Sequence, residues 1–429
     1  MSTKQLQIAQ RARKFKGEGL TNLHQFIDEG LLKKSYQSLN KNSSPGVDDK
    51  CWYEYTGEAI YRIPELLSEF KSGRYKAPPI RRVHIPKGKQ GTRPLGIPTI
   101  EDKILQESVR RVLTPIYEEE FKDFSFGFRS GYSAHQAIDY MFDRVSFKRL
   151  HYIIDADIKD YFGSIDHGLL REFLDRRVKD GVIRRMIDKW LKAGILEDKQ
   201  LHYPRSGTPQ GGVISPLLSN IYLHYVLDEW FSEQIQPLLS GRSFIVRYAD
   251  DFVLGFENAS DAKRVMKVLP KRFNKYNLEL HPDKTRLISL NSKRGEGERS
   301  FDFLGFTHYL GKSHKGNKVL KRKTSSKKFS LALSKMNSWI KQNRHKRLKQ
   351  LIPELNAKLR GYYNYYGIVF NSKSIRSFYY LVTRILHKWL NRRGGKPAWN
   401  WQKYQKLIRQ WQPLLKPKIY HKNLKAKPV

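Results

Sequence analysis

Two stretches decide the fold: HYIIDADIKDYF, residues 151–162, and SFIVRYADDFVLGF, residues 243–256. In the first, Asp155 and Asp157 stand two apart at the end of a β-type run, so both carboxylates share one strand face. In the second, Asp250 and Asp251 sit between two apolar, β-rich runs, the pattern of a strand–turn–strand hairpin with the acids at its tip. The apolar flanks predict burial, and carboxylates close to a core are costly unless a cation neutralises them. Oxygen ligands favour Mg²⁺ or Mn²⁺ over zinc, and no Cys/His grouping competes. Two such ions, about 4 Å apart, serve in-line nucleotidyl transfer, one at the attacking hydroxyl and the other at the leaving pyrophosphate.

Working outward, IRRVHIPKGKQGTRPLGIPTIEDK at 80–103 reads as two short strands around a Gly/Lys-rich hairpin. Ile104, Leu105, Val109, Val112, Leu113 and Ile116 then form a helical stripe within 103–117. RLISL at 286–290 is a further strand, and the first 60 residues read as helical pieces joined by polar loops. Strands interleaved with helices argue for an α/β or α+β core over an all-helical bundle.

The chain has 429 residues, with 81 Lys+Arg against 41 Asp+Glu and a formal charge of +40, which puts nucleic acid at the head of the expected partners. A free-standing enzyme of small neutral metabolites fits that balance poorly. At 39% hydrophobic and 13% aromatic residues the chain can bury sizeable cores, so a wholly disordered basic protein is excluded. The single cysteine, Cys51, forbids a disulfide framework and a Cys-based zinc ribbon, and suits a reducing cytoplasm. No run approaches the ~18 apolar residues of a membrane span, and the first residues lack the apolar core of a signal peptide, so no membrane partner is expected.

The charge is uneven. Residues 311–429 hold 31 Lys+Arg and one acidic residue, Glu354, together with five of the eight Trp. Helical spacing in LALSKMNSWI (331–340) and IRSFYYLVTRILHKWL (375–390) predicts amphipathic helices there. Basic helices carrying aromatics suit a phosphate backbone and stacked bases, although a basic run can equally be a solvated face.

In this order and spacing, DADIKDYFGSIDH (155–167), GTPQGGVISPLLSNIYL (207–223), YADD (248–251), ELHPDKT (279–285) and FDFLGF (301–306) resemble a reverse transcriptase of the group II intron type. SFGFRSGYSAHQA (125–137) and TRPLGIPTIEDK (92–103) fit the same pattern, and LNAKLRGYYNYYG (355–367) resembles its maturase or thumb region, so the likeness spans roughly 20–385. The resemblance implies an α+β right-hand polymerase with fingers, a palm built on an antiparallel sheet with helices, and a helical thumb. Along the chain it divides into an N-terminal extension (1–60), fingers and palm (61–310), thumb or maturase region (311–385) and a basic, Trp-rich tail (386–429). The tail is either a nucleic-acid contact or an ordered brace on the thumb.

Carried onto this sequence, the resemblance implies that Asp157, Asp250 and Asp251 are the catalytic, metal-binding triad holding two Mg²⁺ ions, with Mn²⁺ as a substitute. Asp155 is either a support for this site or one half of an ion pair with a nearby Lys. Phe162 falls at a steric gate against ribonucleotides, with a core aromatic as the alternative. Lys87, Arg93, Gln210 and Lys284 match residues that hold the nucleotide, Lys284 also as a general acid toward pyrophosphate. Surface lysines compete with the assignments of Lys87 and Lys284. Arg129 is a template or phosphate candidate, and Phe303, Leu304 and Gly305 lie in a primer-grip hairpin. Gly163 stands where many relatives carry aspartate and is given no role.

The expected activity is therefore RNA-directed DNA polymerisation with an RNA template, a DNA or RNA primer and dNTPs, combined with maturase binding of a group II intron RNA. A splicing maturase with secondary polymerase activity, and a domesticated enzyme of antiviral defence or DNA repair, are the alternatives.

Overall fold

The first carboxylate stretch folds as the strand Tyr152–Ala156, and the second as two strands, Ser243–Tyr248 and Asp251–Phe256. The computed structural model describes residues 2–86, 91–208, 210–292, 297–393, 399–411 and 413–421. It divides into two compact units: residues 1–133, 154–254 and 258–286 form one, and 134–153, 255–257 and 287–429 the other.

In the first unit, Ile80–Pro86 and Thr92–Ile97 pair antiparallel, with Ile85 opposite Arg93. Ile80–Pro86 also pairs, in parallel, with Ile195–Glu197, and Gln200–His202 closes that sheet as an edge. The fold is thus α+β as expected, but this sheet is mixed, because the chain re-enters it after the helix Gly181–Lys192. The predicted helical stripe is the helix Ile100–Glu118, buried on nearly every side. Thr99 caps it, its hydroxyl accepting from the Asp102 N–H. Asp102 is itself buried and accepts from Trp190 Nε1 at 2.8 Å and the Tyr75 hydroxyl at 3.1 Å. Burial pushes its carboxyl up to about 7, against the opposing pull of those two donors.

The helix Thr3–Lys14 starts at a Ser2/Gln5 capping box. A buried arginine further along the chain, Arg177, ties it down by donating to the carbonyls of Ala12, Phe15 and Glu18 at 2.8, 2.6 and 2.6 Å while pairing with Glu120 at 2.9 Å.

In the second unit, Ser300–Phe303, Phe306–Lys312 and Lys318–Thr324 form an antiparallel meander. The helix Ala134–Phe147 packs on its last strand, where Arg322 pairs with Asp139 at 3.3 Å and Ser146 accepts from the Leu320 N–H. The amphipathic patterns at 331–340 and 375–390 fold as the helices Ser326–Asn343 and Ser372–Leu390. With Leu348–Tyr366 they enclose a core of Leu351, Leu355, Leu359, Phe378, Val382 and Leu386.

The expected division at 385/386 does not hold. Ser372–Leu390 runs through it, and Tyr404, Leu407, Ile408 and Leu414 belong to the same core. The Tyr404 hydroxyl donates to the Thr383 carbonyl at 2.6 Å, and Asn356 binds both the Pro413 carbonyl and the Leu415 N–H. Tyr404, Leu407, Ile408, Leu414 and Leu415 are therefore packed in this unit. The limits at 60 and 310 likewise cut the helix Trp52–Ser72 and the strand Phe306–Lys312. Among the described residues no helix is long and apolar enough to cross a membrane.

Candidate active site

Tyr248 ends one strand and Asp251 begins the next, leaving Ala249 and Asp250 as a two-residue turn. Ala249 takes a positive φ of 59°, a conformation that non-glycine residues adopt only when their surroundings impose it. Here they do. The Arg247 side chain, fully buried, donates from Nη1 to the Ala249 carbonyl at 3.0 Å and to Asn220 Oδ1 at 2.9 Å. Its other nitrogens grip the equally buried Asp228, Nε to Oδ1 at 2.8 Å and Nη2 to Oδ2 at 2.5 Å. Asn220 in turn donates to the Gly127 carbonyl at 2.7 Å. Gly127 lies so close to the turn that a Cβ there would come within 2.1 Å of the Ala249 nitrogen. The turn is thus clamped from below by a charged network and from the side by bare backbone.

These supports were not anticipated. The signal was present in FIVRYADD, where an arginine interrupts an otherwise buried strand and so demands a buried anion.

Asp250 is set by that turn. Burial raises its carboxyl above the usual carboxylate range and the Asp157 charge pushes the same way, while Arg93 and Arg247 oppose. Asp157 and Asp250 are therefore electrostatic neighbours, and Asp251 lies exposed beside them at the start of its strand. Among the described residues no three carboxylate, imidazole or thiolate side chains close on one point. Two repelling carboxylates with a third adjacent, all oxygen donors, nevertheless fit a hard divalent cation in chemistry.

Lys284 donates to Asp157 Oδ2 at 2.5 Å, and the His281 N–H reaches the Asp157 carbonyl at 2.8 Å. Asp155 pairs with Arg286 at 3.2 Å, the ion-pair alternative, with Arg in place of the expected Lys.

Phe162 and Gln210 line a cavity of about 170 Å³ together with Arg82, Pro94, Gly96 and Thr208. Tyr161 supplies the core aromatic, its hydroxyl donating to the Ser219 carbonyl at 2.5 Å, which frees Phe162 to face the cavity. The GTPQGG loop closes on the neighbouring backbone: the Thr208 N–H donates to the Phe162 carbonyl and the Gly96 N–H to the Gln210 carbonyl. Gly211 has a φ of 119°, and a Cβ there would sit 2.5 Å from the Gly96 carbonyl, so glycine is required. Gly163 lies beside the Asp160 carboxylate, whose Oδ2 would be 2.3 Å from an added Cβ. Arg93 is exposed at the mouth of the 80–97 hairpin. Lys87 lies outside the described residues.

Two expectations need correction. Arg129 is buried: it pairs with Glu118 at 2.9 Å, donates to the Lys122 and Ser125 carbonyls, and lies over the Tyr132 ring. With its donors consumed internally it is a brace, not a template contact. Phe303 is likewise a core side chain, since alternation along its strand turns it inward. Leu304 and Gly305 form the tip of that hairpin, with φ of 48° and 80°, and the Tyr365 hydroxyl holds the Leu304 carbonyl at 2.8 Å.

Residues 85–308, which include this turn, match the family model described as reverse transcriptase (RNA-dependent DNA polymerase). Residues 330–411 match the group II intron, maturase-specific domain. The chain is 30% identical to the group II intron-encoded protein LtrA of Lactococcus lactis subsp. cremoris, over 85% of this chain and 73% of that protein. It is 35% identical to protein YkfC of Escherichia coli (strain K12), over 49% of this chain and 63% of that protein. It is also 26% identical to the putative COX1/OXI3 intron 1 protein of Saccharomyces cerevisiae, over 76% of this chain and 47% of that protein. The chain belongs to the group II intron reverse transcriptase/maturase family and is an RNA-directed DNA polymerase.

Proposed function

We propose that the first unit supplies the fingers and palm and the second the thumb of a right-hand polymerase. It copies RNA into DNA from a DNA or RNA primer and also holds a group II intron RNA as a maturase. The observation that carries the catalytic reading is the two-residue turn that presents Asp250, braced by Arg247, Asp228 and Asn220.

Asp157, Asp250 and Asp251 would hold Mg²⁺, whose chemistry when bound is to lower the pKa of the primer 3′-hydroxyl and neutralise the departing pyrophosphate. The other roles fall to this chain's own groups. Arg93, with Lys87, presents donors to triphosphate oxygens, a fork and a point charge respectively. Phe162 fills the space a 2′-hydroxyl would need, which selects deoxynucleotides. Gln210 and the loop around Gly211 form the opposite wall of the cavity. Lys284 balances the Asp157 charge and stands ready to donate a proton on the leaving-group side. The 31 basic residues of 311–429 supply the salt-sensitive grip on duplex or intron RNA.

Primer extension with Mg²⁺ on RNA and on DNA templates, followed by sequencing of co-purified RNA, tests both halves. Extension on RNA templates together with enrichment of one structured intron is expected. Absence of extension removes the polymerase reading, and co-purified RNA without a common structure removes the maturase reading.

A further inference from the structure

Phe128 combines two unfavourable states. Its φ is 59°, in the left-handed region where a bulky side chain is strained, and it is 56% exposed. Strain of this kind persists only where the surroundings over-determine the backbone. On one side of it Gly127 is wedged against Tyr248 and Ala249 and bound through Asn220. Before that, the Phe126 N–H donates to the Arg247 carbonyl at 2.8 Å and the Arg247 N–H to the Phe124 carbonyl at 2.9 Å, so this segment is stitched to the strand that ends in the catalytic turn. On the other side Arg129 is locked by Glu118, two carbonyls and the Tyr132 ring. Phe128 therefore stands between two immobile neighbours, and its ring stacks on no other aromatic among the described residues. A rigid pedestal that holds a hydrophobic ring out in water next to Asp250 is not explained by packing.

We infer that Phe128 is a stacking platform for a nucleotide of the primer–template at the catalytic turn, and that this residue, rather than Arg129, is what the SFGFRSG segment offers to nucleic acid. Every base has a face that an aromatic ring can cover, so such a contact tolerates any sequence, as a copying enzyme needs. The inference rests on the polymerase reading, because it supposes a duplex end at Asp250.

The test uses the full-length chain and the variants Phe128→Gly, Phe128→Ala and Phe128→Trp. Glycine accepts the left-handed backbone without strain, so Phe128→Gly should melt at or above the wild-type temperature. Its Kd for a fluorescent RNA–DNA primer–template, measured without metal or dNTP, should nevertheless rise by about 5- to 150-fold, the worth of one stacked base. Phe128→Trp should bind as the wild type does, and Phe128→Ala should follow the glycine variant. Single abasic sites, in the primer terminus or in the template opposite, identify the strand: at the stacked position wild type and Phe128→Gly bind alike. Wild-type affinity in Phe128→Gly overturns the inference while leaving the polymerase reading intact, and so does an unchanged gap at every abasic position. Failure of the wild type to extend any primer overturns both.

Discussion

The Arg247–Asp228 pair allows stability and catalysis to be separated by substitution. Both side chains are fully buried, and the guanidinium is held by two bonds to the carboxylate plus one each to Asn220 and the Ala249 carbonyl. Asp228→Ala leaves a buried cation without its anion, an expected loss of about 3–5 kcal/mol, from a total that for a domain is only about 5–15 kcal/mol. Replacing both partners, as Arg247→Met with Asp228→Leu, removes the charges together and should return stability to within about 1–2 kcal/mol of wild type or above it. The doubly apolar protein still lacks the donor that holds the Ala249 carbonyl. A loss of about 1.4–2.8 kcal/mol in transition-state positioning would lower kcat by about 10- to 100-fold, with KM for dNTP little changed. Arg247→Lys keeps the charge but cannot fork, and should recover stability better than rate. Urea unfolding followed by tryptophan fluorescence measures the first quantity, and single-nucleotide extension the second. If Asp228→Ala unfolds within 1 kcal/mol of wild type, judged against the ~1 kcal/mol of a typical substitution, the pair is not the buried, charged anchor described here. If the double variant retains full kcat, the pair does not position the turn.

Replacing Asp250 and Asp251 with Ala should abolish primer extension while RNA affinity, measured by filter binding, stays near wild type. Phe162→Val should raise ribonucleotide incorporation, read as the ratio of kcat/KM for dNTP and rNTP. Asp102 is neutral in the folded protein up to about pH 7 but ionises near its ordinary value once unfolded, so its stabilising contribution is complete at low pH and is lost as pH rises toward 7. Asp102→Asn, which keeps an acceptor for Trp190 and Tyr75, should therefore flatten the fall in Tm between pH 4.5 and 8, a difference of up to ~4 kcal/mol for a shift of about three pH units. Truncation after residue 385 removes Leu386, Leu390, Tyr404, Leu407, Ile408 and Leu414 from one core. At about 1.5–3 kcal/mol for each large buried side chain, calorimetry should lose the transition of the second unit altogether, not merely shift it.

The strand and the strand–turn–strand that carry the acids were legible because their residue pattern is local, alternation and apolar flanks around DAD and ADD. The mixed character of the 80–97 sheet was not legible, because it depends on a return of the chain nearly a hundred residues later. Arg129 and Phe128 show the same limit: side by side in sequence, one is consumed by Glu118 and two carbonyls while the other faces water, and only tertiary contacts separate them. The boundary at 385 failed for a different reason. Residues 386–415 hold seven Lys+Arg and no acidic residue, yet Tyr404, Leu407, Ile408 and Leu414 pack in the core.

Arg177 bears on how this protein can be handled. Its guanidinium spends its donors on carbonyls of the first eighteen residues, so trimming those residues strips a buried cation of three acceptors and leaves only Glu120. The leading helix is in effect a plug. A minimal polymerase cut back to the 85–308 match would begin from a damaged interior, and a shortened form should be built by redesigning Arg177 first.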